Sequence, residues 1–169
     1  GIAISTALLP VLSKYVKMKD KKKSTQTLSN ALHFGLIFSI PSFIGIFILS
    51  NQIIMFLFFR GEFTLSDVEL TSYALIALSL GLPAFIMIKI LVIPFFAMED
   101  TKTPLKISLF SIAINLTLNL ILIDKYQHVG LAISTSFAAW VNALTLFIVL
   151  KRKQVKFERV LLSTLFKVI

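Results

Sequence analysis

Two of the four basic residues outside the lysine-rich segments of this sequence carry side chains that could hold an anion. Lys89 lies within a long apolar stretch, and Arg60 precedes Gly61 in a short turn between two apolar stretches. Ammonium and guanidinium groups are the side chains that hold phosphate best. A lysine inside a bilayer costs at least ~2.5–3.5 kcal/mol on insertion scales. Lys89 therefore either faces a wet, protein-lined cavity or extends its long stem to the headgroups.

A second set of polar residues lies within the apolar stretches. Asn115 and Asn119 are four residues apart and share one face of a helix, and Thr135 on the next stretch can oppose them. In lipid, such groups either hold helices together or line a polar path. No carboxylate lies in these stretches, and neutral oxygens bind Na⁺ weakly and relay no proton at ordinary pH. Two interpretations stay open, a contact between helices and a cation site.

The sequence lacks the patterns of an enzyme active site. It contains no Walker-type loop, no HExxH or CxxC motif, and no cysteine. His33 and His128 lie near opposite ends of apolar stretches and cannot share one metal ion. We predict no catalytic residues, no metal and no cofactor, and hence a protein that is not an enzyme.

Apolar stretches long enough to cross a bilayer fill most of the chain. A hydrocarbon core of about 30 Å requires about 20 helical residues. The mean hydropathy is +0.90 and 57% of residues are hydrophobic, more than a soluble domain of 169 residues buries. We predict an all-α polytopic bundle with about four complete spans and partial helices at 1–12 and 160–169. The four spans are 31–49, 73–97, 104–123 and 129–150.

The basic residues predict how the spans are oriented. Thirteen of the 17 Lys and Arg residues lie in three segments that alternate with poorly charged connections. Because basic loops stay in the cytoplasm, loops 13–30, 99–103 and 151–159 are predicted to be cytoplasmic. The net charge of +9 thus reflects topology and contact with the phospholipid bilayer, and nucleic-acid binding is not expected.

Turn residues predict where the helices begin. Thr64 or Ser66 is placed to cap the second span, and Thr103 to cap a helix that begins at Pro104. The aromatic-rich segment 53–59 is predicted to lie along the outer interface of the membrane.

Five phrases carry a resemblance that covers nearly the whole chain. They are STALLPVLSK (5–14), LFFRGEFT (57–64), GLPAFIMIKILVIPFFAMEDTKTPLKI (81–107), NLTLNLILI (115–123) and HVGLAISTSFAAWVNALTL (128–146). In order and spacing they resemble the C-terminal half of the MurJ/MviN lipid II flippases, which belong to the MOP exporter superfamily.

The resemblance implies a function that composition does not give. Such proteins carry the undecaprenyl-pyrophosphate-linked peptidoglycan precursor, lipid II, across the cytoplasmic membrane by alternating access of two helical lobes. It implies that 1–169 is one incomplete transmembrane lobe, whose partners are lipid II, the bilayer and a missing N-terminal lobe. Within this sequence, Lys89 and Arg60 are the candidates for contact with the cargo or the cavity. A fragment of another MOP exporter for drugs or polysaccharides, and a non-transporting membrane remnant, are the alternatives.

Overall fold

The computed structural model describes residues 2–18 and 20–153, and the regular structure in these ranges is helical. The all-α prediction is thereby confirmed, while the partial helix predicted at 160–169 lies outside the described residues. The helices, in chain order, are α1 (Ile2–Lys17), α2 (Lys21–Phe58), α3 (Leu65–Ser79), α4 (Leu82–Leu91), α5 (Ile93–Ala97) and α6 (Lys102–Arg152).

Helix α6 folds back on itself at Gln127. This residue has φ 47° and ψ −130°, outside the helical region. The limbs on either side, 102–126 and 128–152, run antiparallel, because Asn115 Nδ2 lies 3.4 Å from Thr135 Oγ1. Near the turn the backbones almost touch, so that a Cβ on Gly130 would lie 2.8 Å from the carbonyl oxygen of Leu122. The two apolar stretches predicted at 104–123 and 129–150 occupy these two limbs.

Three segments of the described chain are long and apolar enough to cross a membrane. They are Lys22–Phe58, Leu65–Ala97 and Lys102–Arg152. The second comprises α3, α4 and α5, with breaks near Gly81 and Val92. Since the third contains both limbs of the α6 hairpin, the fold provides four potential crossings.

The prediction of a long loop at 13–30 is wrong. Helix α1 continues to Lys17 and α2 begins at Lys21, where the Asp20 side chain accepts a hydrogen bond from the Lys23 amide at 3.1 Å. The run continues as helix because Asp20 caps its first turn and Leu28 and Leu32 bury their side chains in the core. The loop predicted at 99–103 comprises residues 98–101. Of the loop predicted at 151–159, residues 151 and 152 belong to α6, and residues 154–159 lie outside the described residues.

The segment 53–59 does not form a separate interfacial element. Helix α2 continues without interruption to Phe58, and Phe59 caps it. Bulky apolar residues maintain the helix past the polar pair Asn51 and Gln52, so this segment projects along the α2 axis. Phe56 is 90% exposed on this projection.

The core lies where α2, α4 and the second limb of α6 meet, with α1 and α5 closing the same end. Ala84, Ala139 and Ala143 are buried there, and such small residues let helix backbones approach closely in a membrane bundle. The larger fully buried side chains that fill the space include Leu12, Leu28, Leu32, Ile90, Phe95, Leu146 and Leu150.

Replacing Gln127 by glycine is expected to raise the free energy of unfolding by about 1 kcal/mol. A side chain at positive φ with this ψ is strained, and glycine relieves the strain. Denaturant titration of the chain in mixed micelles measures the change. Gln127→Ala is the matched control, because alanine retains the Cβ and brings no gain. Equal stability of the two variants would contradict the strain.

Candidate functional site

Lys89 lies on the exposed side of α4. Its neighbours Met87 and Ile90 are buried, and Ile86 and Ile90 face Gly35 of α2. The Lys89 side chain is exposed, and within the described residues no hydrogen bond or ion pair engages its ammonium. The packing of α4 therefore presents a free cation on the surface that this chain leaves uncovered.

The break between α3 and α4 fixes where Lys89 can lie. Pro83 has no amide proton, and the Gly81 amide donates to the Leu78 carbonyl at 3.0 Å. The second limb of α6 supplies donors at the break. Ser136 Oγ donates to the Ala77 carbonyl at 2.6 Å, and Trp140 Nε1 donates to the Leu80 carbonyl at 3.0 Å.

Gly81 permits this close approach. A Cβ at this position would lie 2.8 Å from Ser136 Oγ and 2.9 Å from the Phe85 ring. Ser136 and Trp140 are not among the predicted site residues. The signal that points to them is the Gly81–Pro83 break, since backbone groups freed in lipid must find donors on neighbouring helices.

The structure brings Asn115, Asn119 and Thr135 together between the two limbs of α6. Asn119 Nδ2 donates to Asn115 Oδ1 at 3.0 Å, Asn115 Nδ2 donates to Thr135 Oγ1 at 3.4 Å, and Thr135 Oγ1 donates to the Leu131 carbonyl at 2.8 Å. This chain of hydrogen bonds uses two of the three side-chain oxygens as acceptors. Asn119 Oδ1 is buried without a donor, and so is Asn142 Oδ1 on the second limb.

Metal-binding chemistry finds little support in this region. Across residues 2–18 and 20–153, no group of three His, Asp or Glu side chains lies close enough to hold a metal ion. The Asn and Thr oxygens are neutral, so any cation here would have no counter-charge from the cluster itself.

Arg60 lies far from the other candidates. It is exposed in the turn between α2 and α3, where Gly61 has φ 63°. Lys89 lies about 36 Å along the helical path from Leu65, the first residue of α3, at a rise of 1.5 Å per residue. The structure therefore does not bring the two predicted anion-binding residues into one site.

A cleft of about 390 Å³ lies between α2 and α3, near the end at which Arg60 is found. Its polar lining includes Asn51, Glu69 and Tyr73, and the Tyr73 hydroxyl donates to Glu69 at 3.1 Å. None of the predicted site residues lines this cleft. Next to this cleft, Thr64 caps the start of α3 and forms a capping box with Asp67. The prediction of a cap at Thr64 is thereby confirmed.

At the opposite end, Asp100 links the turn before α6 to the end of the same helix. Its carboxylate accepts hydrogen bonds from the Thr103 amide at 3.1 Å and the Thr103 hydroxyl at 2.7 Å, and it forms an ion pair with Lys153. Lys153 Nζ also lies 5.8 Å from the centroid of the Phe95 ring. The prediction that Thr103 caps α6 is wrong, because α6 begins at Lys102 and Thr103 therefore lies in its first turn, where the Thr103 amide donates to Asp100.

These contacts lower the pKa of Asp100 from 3.8 to about 2, mainly through the hydrogen bond from Lys153 and then through those from Thr103. A lowered pKa means that the contact stabilises the fold above about pH 4, and that this stabilisation is lost as the pH falls toward 2. We expect Asp100→Asn to lower the melting temperature at pH 6, with the difference from the unmodified chain closing toward pH 2.

Thermal melts followed by circular dichroism between pH 2 and 7 measure this difference. Glu99→Gln is the matched control, because Glu99 is an exposed neighbouring carboxylate with no ion pair within the described residues. A difference between Asp100→Asn and the unmodified chain that persists unchanged at pH 2 would contradict the assigned role.

Comparison with known proteins places this arrangement in a family. The family model described as lipid II flippase MurJ matches residues 1–169. A probable lipid II flippase MurJ from Rickettsia prowazekii is 49% identical over 142 residues, which cover 84% of this chain and 28% of the relative. One from Vibrio cholerae is 38% identical over 147 residues, covering 87% of this chain and 28% of the relative.

A solved structure shows the same fold. The structure named lipid II flippase MurJ, inward closed conformation, is 33% identical and has a TM-score of 0.76 over 98% of this chain and 35% of that chain. The chain thus spans about 28% of the length of the two relatives described above. The family is described as a flippase, which is a transporter and not an enzyme, in agreement with the prediction. The chain belongs to the lipid II flippase MurJ family.

Proposed function

We propose that this chain forms part of one lobe of a lipid II flippase in the cytoplasmic membrane. The observation that carries the proposal is the match of the family model to all of residues 1–169. Together with the remaining part of a flippase, the chain moves the undecaprenyl-pyrophosphate-linked precursor to the outer leaflet by alternating access. The helices provide a scaffold for binding and rocking, with no covalent step.

Among the residues within the spans, Lys89 is the one to which we assign contact with the cargo. Its ammonium is exposed on α4 and has no partner within the described residues, while lipid penalises a bare charge at that depth. A hydrated cavity shared with the rest of the transporter removes this cost, and pyrophosphate supplies the counter-charge. Arg60, in the turn at the other end of α3, is assigned to a separate contact with the cargo headgroup.

The polar cluster of Asn115, Asn119 and Thr135 is assigned to holding the two limbs of α6 together. Its hydrogen bonds run in one direction and end at a backbone carbonyl, which supports a contact between helices. A cation site is the alternative, and it predicts that Na⁺ raises the melting temperature of the chain. No change with Na⁺ supports the contact between limbs.

The orientation of the helix bundle in the membrane follows from where its lysine-rich connections lie. Contacts between α1 and α5 and the Asp100–Lys153 ion pair bring the connections rich in lysine to one end of the bundle. We assign that end to the cytoplasm, because basic residues are retained there. The end with Arg60 and Gln127 then faces outward.

The test is growth of cells depleted of their own flippase. We express the chain alone, and then together with the separately encoded remainder of the Vibrio cholerae relative. Rescue only in the second case is expected, since the chain spans 28% of that relative. Absence of rescue in both cases, with membrane insertion verified, would contradict the proposal and favour a non-transporting remnant.

A further inference from the structure

The α3–α4 break is held by side chains from a different part of the chain. Ser136 and Trp140 lie four residues apart on the second limb of α6, so both face the break. Ser136 is buried and donates to the carbonyl of Ala77. In a regular helix this carbonyl would accept from the Gly81 amide, which donates to Leu78 instead. Trp140 donates to the carbonyl of Leu80, three residues further on at the break. Two side-chain donors therefore bind backbone carbonyls at the end of α3, where the regular helical hydrogen bonds are interrupted.

The break is a point about which α4 can change direction. Gly81 has no side chain, Pro83 lacks a donor, and the backbone changes from α3 to α4 over residues 80 and 81. Lys89 lies about 12 Å beyond Gly81 at 1.5 Å per residue. A tilt of about 10° at the break therefore moves Lys89 by about 2 Å, enough to gain or lose a contact with an anion.

We propose that Ser136 and Trp140 are positioning residues that fix the angle of α4, and with it the place of Lys89, relative to the α6 hairpin. The proposal rests on the proposed function only for the consequence that Lys89 meets cargo. The angle itself is a property of the chain and is measured without transport.

The experiment measures a distance across the break in the whole chain. The sequence has no cysteine, so Leu70→Cys on α3 and Lys89→Cys on α4 give two unique spin-label sites. Pulsed electron paramagnetic resonance in lipid nanodiscs then reports the distance distribution. We expect one narrow distribution in this background. Adding Ser136→Ala with Trp140→Phe, which removes both donors and keeps the indole position filled by a ring, should at least double its width.

Ser134→Ala is the matched control. Ser134 is a buried serine on the same limb, but its hydroxyl donates to the Gly130 carbonyl of its own helix at 2.8 Å. We expect the distance distribution of this variant to have the same width as that of the doubly labelled chain without further substitutions. An unchanged width in the double variant, or equal broadening by Ser134→Ala, would overturn the proposal. Ser136→Ala alone is measured as well, and should show an intermediate width if the double variant does not fold.

Transport is the second readout, measured in a flippase chimera that retains Lys89. The double variant should reduce rescue of flippase-depleted cells at least three-fold, and Ser134→Ala should not. If even the unmodified chimera fails to rescue, the proposed function is contradicted while the distance result still decides the role of Ser136 and Trp140. Broadening without loss of rescue in an active chimera would overturn the link to Lys89.

Discussion

Replacing Gly130 by alanine is expected to lower the free energy of unfolding by about 2–3 kcal/mol. The added Cβ would lie 2.8 Å from the Leu122 carbonyl oxygen and 2.9 Å from Leu122 Cβ. The first of these atoms belongs to the backbone, so no side-chain rotation relieves the contact and the two limbs of α6 must separate. Separation also stretches the hydrogen bond between Asn115 and Thr135. Denaturant titration in mixed micelles measures the loss.

Gly45→Ala is the matched control for this prediction. Gly45 lies within α2, and nothing approaches within 4 Å of a Cβ built there. Alanine favours helix over glycine, so this variant should gain about 0.5–1 kcal/mol. If Gly130→Ala were as stable as Gly45→Ala, the close hairpin would be contradicted.

Replacing Lys89 by leucine in a flippase chimera is expected to reduce transport at least about ten-fold, while insertion and amount of protein stay unchanged. A hydrogen bond to a charged group contributes about 1.5–3 kcal/mol, which corresponds to about ten-fold or more. Leucine also removes a charge from the span, so insertion itself becomes easier. The measurement is the rate of lipid II appearance at the outer surface of flippase-depleted cells.

Two variants separate a cavity role of Lys89 from snorkelling. Lys89→Arg keeps the charge and should retain most of the transport. Lys106→Ala removes another lysine, exposed near the start of α6, and should leave the rate unchanged. Normal transport by Lys89→Leu would assign the lysine to the headgroups and contradict its contact with cargo.

The helical fold and the folding back of α6 could be predicted because the sequence carries them locally. Apolar stretches at 104–123 and 129–150 are separated by the polar residues from Asp124 to His128, which mark the turn. The face shared by Asn115 and Asn119 follows from helical spacing, and Thr135 opposes it as expected. Membership of the family was predicted from the five sequence motifs and their order, which composition alone does not determine.

Other features depend on contacts that spacing does not encode. The polar residues 21–30 are predicted as a loop from their low hydropathy, yet they form helix because Asp20 caps the first turn and Leu28 packs in the core. Whether Thr103 or Asp100 caps α6 depends on the path of the turn, which brings Asp100 to both the Thr103 amide and Lys153. Ser136 and Trp140 donate hydrogen bonds to carbonyls at the α3–α4 break, about sixty residues earlier in the chain. Only the packed structure shows these contacts.

We propose that these helices form a working part of a lipid II flippase. The most direct measurement replaces the matching segment of the Vibrio cholerae relative with this chain and follows lipid II reaching the outer surface of flippase-depleted cells. We expect the chimera to restore transport, and Lys89→Leu in the same chimera to lower it. If the chimera inserts in normal amounts and moves no lipid II, these helices are not part of a lipid II flippase.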